Sequence, residues 1–383
     1  MLKHTQVVLF LMLLMSFVSV QAGGVIAPKP SAPNVAAKSH ILIDYDSGRV
    51  LASDNPDQRL PPASITKLMT SYVVSHELHS GNIALDDEVL ISEKAWRMIG
   101  SRSFLKVDTK VSVEALLRGM IVQSGNDAAV ALAEHIAGSE EVFAQMMNQY
   151  AQQLGMVDTN YMNSTGLPDP EHYTTARDIA TLSAALIRDF PAHYEWYKEK
   201  EYTYNNITQH NRNKLLWRDN SVDGLKTGHT EEAGFCLAAS AQRGDMRLIS
   251  VVLGTRSENA RAQETQKLFN YGFRFFETHQ LYQANANITD SKVWKGAQDQ
   301  VSLGLAQSLA VTVPRGQYDE LSANTNIQQP VIAPIEVGAE LGEVEIRLGE
   351  EVVARQTLVA LTAVEEGSWW RRLIDEILLW IWG

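Results

Sequence analysis

The sequence predicts an α/β domain, an antiparallel sheet covered by helices, followed by a small all-β domain and a closing amphipathic helix. Strand-like segments at 40–52 and 224–253 enclose a stretch of helical apolar periodicity between 113 and 188. From about Leu281 onward the pattern changes to short alternating strands separated by turns. The chain then closes on Trp369–Trp382, where polar and apolar pairs alternate at helical spacing.

The first residues belong to a different element. A positive charge at Lys3, an apolar run from Val7 to Val18 and small residues at Val20-Gln21-Ala22 read as an export signal over 1–22, cleaved after Ala22. The apolar run falls short of the roughly 20 residues that span a bilayer. Residues 23–39 hold Pro28, Pro30 and Pro33 among small residues and read as a flexible leader. The first domain is expected over 40–280. His40–Tyr45 and Val50–Ala52 form a hairpin across the turn Asp46–Arg49. A helix starts at Pro61-Pro62, because proline at a helix start sacrifices an amide that has no partner anyway. Helices are expected at Val113–Val122, Asp127–Ile136, Glu140–Leu154 and Ala176–Arg188, and again at Ala260–Phe276. Strands are expected at 224–229, 234–242 and 246–253. The all-β domain is expected over 281–364, and the last helix over 365–383.

With 383 residues the chain can bury a large core. A net charge of −12 and the lack of a basic cluster argue against nucleic-acid binding. Cys236 is the only cysteine, so no intramolecular disulfide forms, and its apolar surroundings mark it as a buried small hydrophobe. No His/Asp/Glu grouping has ligand spacing, so neither a metal nor a cofactor is called for. The terminal helix carries Trp370, Leu373, Ile374, Ile377, Trp380 and Ile381 on one face, with Arg371, Arg372, Asp375 and Glu376 opposite. It is about 22 Å long, too short for the roughly 30 Å hydrocarbon core. Its tryptophans suit a helix lying in a membrane surface.

Three short motifs carry chemistry: Ser64-Ile65-Thr66-Lys67, Ser124-Gly125-Asn126 and Lys226-Thr227-Gly228. A serine hydroxyl is a poor nucleophile unless a neighbour takes its proton. A lysine can do so if burial lowers its pKa. Ser64 and Lys67 lie three residues apart at a helix start, on one face. The second motif lies between two helices and the third on a strand. Together they form the signature of penicillin-binding proteins and class A β-lactamases.

The chain resembles the D-alanyl-D-alanine carboxypeptidases, the low-molecular-weight penicillin-binding proteins, of the membrane-attached subgroup. The resemblance rests on Pro62–Lys67, Ser124–Asp127, Asp223–Thr230 and Gly272–Glu277, and extends to the β domain and closing helix. It implies a serine β-lactamase/transpeptidase-like fold and a periplasmic enzyme, held to the outer face of the inner membrane. Such an enzyme removes the terminal D-alanine from peptidoglycan pentapeptides and is acylated by β-lactams. Ser64 is the expected nucleophile, Lys67 its base and Ser124 a proton relay. Asn126, Lys226, Thr227, Gly228 and His229 are expected to hold substrate, with the amides of Ser64 and His229 as oxyanion donors. Gly228 lets the strand edge approach the substrate backbone. Arg256, and after it Arg212, are the expected partners of the substrate carboxylate. In place of the histidine that relatives often carry before Gly166-Leu167, this chain has Thr165. The residue that activates the deacylating water is left open; Asp169 and Glu171 lie nearby in sequence. The alternatives are a β-lactamase, a D,D-endopeptidase or a non-enzymatic cell-wall binding protein.

Overall fold

The computed structural model describes residues 31–382. The expected export signal and the first part of the leader lie outside the described residues. The central sheet joins β1 (Ser39–Asp44), β2 (Val50–Asp54), β3 (Val222–Thr230), β4 (Gly234–Arg243) and β5 (Met246–Thr255). The spatial order is β2-β1-β5-β4-β3, antiparallel throughout, so β3 is an edge. β5 is apolar almost without interruption because both faces of the sheet are covered. Ile249, Val251 and Leu253 point to one layer; Leu248 and Val252 point to the other.

The first layer is the helical insertion: α1 (Lys67–His79), α2 (Val113–Gln123), α3 (Asn126–Ala137), α4 (Glu140–Gln153) and α5 (Ala176–Asp189). Ser112, Ser139 and Thr175 cap three of these helices by accepting a backbone N–H two or three residues into the helix. The second layer is α6 (Glu258–Phe275), capped by Ser257. Gly272 brings α6 onto the sheet: a Cβ there would stand 2.5 Å from Leu248 Cδ1 and 3.1 Å from Leu42 Cδ2.

Two expectations are corrected. Val35 is buried under α6's layer and the Lys38 amide donates to Leu253, so the end of the leader is held against the sheet rather than flexible. A strand begins at Phe276, inside the segment assigned to the first domain, and pairs with Leu309–Pro314. The architecture therefore changes at 275/276 rather than near 281. The β domain has its own core around Val301, Leu303, Val344, Ile346 and Leu358. Its six-stranded sheet contains Glu340–Leu348 and Glu351–Ala360 as a central hairpin. The domains meet at the β1–β2 turn. Asp44, fully buried, accepts from the Ser47 and Thr278 hydroxyls, and Arg49 Nη1 donates to the Thr312 carbonyl at 2.6 Å.

The closing helix α7 (Trp369–Trp382) turns its polar side to the β domain through the ion pairs Lys295–Glu376, Arg371–Asp299 and Arg372–Glu366. Trp370, Leu373, Ile374, Ile377, Trp380 and Ile381 are exposed. No helix among the described residues is long and apolar enough to cross a membrane.

Replacing Gly272 by Val is expected to destabilise the protein by about 1–3 kcal/mol, because the added methyls overpack a helix–sheet contact. Urea unfolding followed by fluorescence measures it, and an unchanged midpoint would refute the packing argument.

Candidate active site

The site is assembled where the start of α1, the α2–α3 junction and β3 converge. The Ser-Ile-Thr-Lys motif does not open α1 as an α-helical turn. Ala63–Thr66 form a 3-10 turn and α1 begins at Lys67. The difference helps the chemistry, since residues i and i+3 eclipse in a 3-10 turn and Ser64 and Lys67 lie over one another. Lys67 Nζ is 3.1 Å from Ser64 Oγ, 2.7 Å from Asn126 Oδ1 and 2.6 Å from the Thr165 carbonyl.

Burial, then the nearby Arg212 charge, pulls the Lys67 pKa down to about 7, against the pull of Asp127 and Glu140. A neutral amine has two N–H bonds and one lone pair. Asn126 Oδ1 and the Thr165 carbonyl are acceptors only and take the two N–H bonds. The lone pair is then left for the Ser64 hydroxyl.

The second motif crosses the α2–α3 junction. Ser124 caps α2 in the left-handed conformation, φ 70°, which turns its side chain out of the helix register. Ser124 Oγ is buried and has no hydrogen-bond partner among the described residues. Asn126 Nδ2 donates to the Ile99 carbonyl, and one N–H remains for a ligand. Asp127, the next residue, accepts from the amides of Ser103 and Leu105 and holds the segment whose Gly100 and Ser101 line the cavity.

The third motif lies on β3. Lys226 is 3% exposed, donates to the Thr227 carbonyl, and burial followed by the Lys67 charge holds its pKa far below the usual lysine range. No hydrogen bond joins Lys226 to Ser124 among the described residues. Gly228 also serves a contact within the fold. A Cβ there would stand 3.0 Å from the Pro62 carbonyl oxygen and 3.1 Å from Ala63 Cβ. The missing side chain thus lets β3 approach the nucleophile turn. The His229 ring stacks on Phe235 with centroids 3.9 Å apart. Among the described residues β3 pairs only with β4, leaving its other edge toward the cavity.

The cavity measures about 350 Å³ and is lined by Ser64, Ser124, Asn126, Thr227, Gly228 and His229. Lys67 and Lys226 are buried around it. Arg212 reaches the lining, but Arg256 is exposed and does not. The buried guanidinium at the cavity is Arg261, on the first turns of α6, which donates to the Gly228 carbonyl at 3.2 Å. Sequence order favoured Arg256 because it follows β5 directly; the turn of α6 instead carries Arg261 inward. Thr165 lines the cavity, but its hydroxyl donates to Asn163 Oδ1 and accepts from the Leu167 amide. Asp169 and Glu171 do not line the cavity; Glu258 does, and its hydrogen bond with Lys214 holds its carboxyl below the usual range. Arg212 and Arg261 thus bring positive charge to a cavity in a chain of net charge −12, a field suited to an anionic ligand. No grouping among the described residues could hold a metal ion.

Comparison with known proteins places this geometry. Residues 26–257 match the family model described as D-alanyl-D-alanine carboxypeptidase, and residues 276–366 match the penicillin-binding protein 5 C-terminal domain. The D-alanyl-D-alanine carboxypeptidase DacC of Escherichia coli is 45% identical over 356 residues, 91% of this chain and 89% of that one. The crystal structure of penicillin-binding protein 5 from Haemophilus influenzae superposes with a TM-score of 0.86 at 43% identity, covering 88% of this chain and all of that one. A Listeria monocytogenes penicillin-binding protein solved with ampicillin bound superposes with a TM-score of 0.59 at 30% identity, covering 63% of this chain and 100% of that one.

Proposed function

The chain belongs to the D-alanyl-D-alanine carboxypeptidase family and is a serine-type carboxypeptidase of that kind; from this premise we propose how its own residues carry the reaction. The observation that carries the reading is Lys67 Nζ, 3.1 Å from Ser64 Oγ with both its other positions occupied by fixed acceptors. The acyl-D-alanyl-D-alanine end of a peptidoglycan peptide lies along the free edge of β3 as an added strand. Its terminal carboxylate faces Arg261, Arg212 and the Thr227 hydroxyl. The scissile carbonyl sits over Ser64, its oxygen between the amides of Ser64 and His229.

Neutral Lys67 takes the Ser64 proton as Oγ attacks the carbonyl carbon. The tetrahedral oxyanion collapses and the C–N bond breaks. Protonated Lys67 gives its proton, through the Ser124 hydroxyl, to the departing D-alanine nitrogen and is neutral again; Ser124 Oγ, without a partner among the described residues, is free to relay it. Water then attacks the Ser64 ester, giving its proton to Lys67, and the oxygen of Ser64 leaves with a proton returned from it. Lys67 fits this second step because its Nζ already lies 3.1 Å from Ser64 Oγ, the atom that bears the ester. Lys226, buried on β3 beside the cavity, holds substrate rather than moving protons, and the charge that tunes Lys67 is that of Arg212. The same attack on a β-lactam carbonyl gives a stable ester.

The wider setting follows from the tail. We place the enzyme in the periplasm after signal cleavage, with α7 lying in the inner-membrane surface, its exposed tryptophans and isoleucines downward. The β domain sets the height of the catalytic domain above the lipid.

Two experiments test these readings. Release of D-alanine from diacetyl-Lys-D-Ala-D-Ala is expected to vanish in Ser64→Ala, and in the wild type kcat/KM is expected to fall as pH drops through about 7, since protonation removes the Lys67 lone pair. Release that survives in Ser64→Ala refutes the nucleophile. Deleting residues 367–383 is expected to abolish sedimentation with lipid vesicles while peptide hydrolysis continues; retained sedimentation refutes the anchor.

A further inference from the structure

One buried titratable side chain beside the site has no part in this scheme. His172 is 3% exposed and its Nε2 is 3.0 Å from Thr66 Oγ1, the residue immediately before Lys67. Its other nitrogen, Nδ1, is buried without a partner among the described residues. Two tautomers are available. With the proton on Nδ1, a donor is stranded in the interior; with the proton on Nε2, only a lone pair is. Stranded N–H groups are the rarer and costlier case. His172 therefore donates Nε2–H to Thr66 Oγ1. Its ring packs edge-on to Tyr161, with centroids 5.7 Å apart. Burial, with Lys67 as a nearby cation, draws its pKa down to about 4 against the pull of Asp169, so the ring is neutral wherever Lys67 is a base.

His172 belongs to the segment 163–174, which supplies the Thr165 carbonyl to Lys67. The segment touches the nucleophile turn at several other points. Thr70 Oγ1 donates to the Ser164 carbonyl at 2.7 Å, and Leu60 bridges to Thr174. Gly166 is pressed so closely on the turn that a Cβ would stand 1.8 Å from the Ala63 carbonyl oxygen. Between Gly166 and Thr174 the His172–Thr66 bond is the side-chain tie. It joins the segment to the residue flanked by Ser64's turn and Lys67 itself. An acceptor that steers a lone pair must hold its place to within a fraction of an ångström.

We propose that His172 is a positioning residue for the reaction: its hydrogen bond to Thr66 locks segment 163–174 onto the nucleophile turn and thereby fixes the Thr165 carbonyl that aims Lys67 at Ser64. The proposal rests on Lys67 being the base for Ser64. It also assigns work to Thr66, whose hydroxyl receives the bond.

The test is a double-mutant cycle on the acylation of Ser64 by a fluorescent penicillin, which separates the acylation rate from the preceding binding step. His172→Ala and Thr66→Val are each expected to slow acylation by about tenfold or more, with the binding step unchanged. The double variant is expected to be no slower than the singles, and His172→Gln, which keeps an N–H donor at similar reach, is expected to regain most of the rate. Multiplying effects in the double variant overturn the proposal. So does a wild-type rate in Thr66→Val, which decides the matter if His172→Ala does not fold. Lys67→Arg is run in parallel. If it acylates normally, the base assignment fails; if it is dead while the His172 and Thr66 variants are normal, only the positioning role fails.

Discussion

Holding a lysine away from water costs free energy unless its charge is given up or fully compensated. Around Lys67 the protein meets this constraint with no close carboxylate partner among the described residues; its hydrogen-bonding neighbours are a serine hydroxyl, an amide oxygen and a backbone carbonyl. The cationic side is further disfavoured by Arg212. The balance sets an amine that is neutral in useful amount near neutral pH. A partner carboxylate in contact would stabilise the fold of the pocket and remove the base.

Much of the architecture serves this one environment. Each of the three hydrogen-bonding partners of Lys67 comes from a different piece of chain: the 3-10 turn, the start of α3 and the segment 163–174. They meet because Gly228 and Gly166 let β3 and that segment approach the turn without side chains between them. β3 can offer its edge to a peptide because the sheet order places it outermost and both sheet faces are already covered. The β domain is fixed to the same body through Asp44, Thr278 and Thr312, so α7 and the cavity have a defined relation.

The parts that were legible in the sequence are those whose chemistry is local. Ser64 and Lys67 are three residues apart; the β-branched strands and capped helices announce themselves by period and end signals. The parts that were not legible depend on tertiary approach. Arg256 and Arg261 lie at the end of one strand and the start of the next helix, and only the direction of α6 decides which faces the cavity. The role of Gly228 depends on Pro62 and Ala63 being its neighbours, which no spacing reveals. The helix ends at Phe275 and a strand begins at Phe276 with no intervening turn residue, so the change of architecture carries no punctuation. The place of His172 was not legible either, because its burial comes from the packing of its loop on α1.

The central claim is that Lys67 is a neutral amine close to neutral pH. The direct measurement is a carbon-13 NMR titration of the lysine ε-methylenes in the folded enzyme, with the Lys67 signal assigned by its loss in Lys67→Arg. The account predicts a midpoint at about 7 for Lys67. A midpoint near the ordinary lysine value of about 10.4 would mean that the side chain beside Ser64 is an ammonium ion, and the proton acceptor would have to be sought elsewhere.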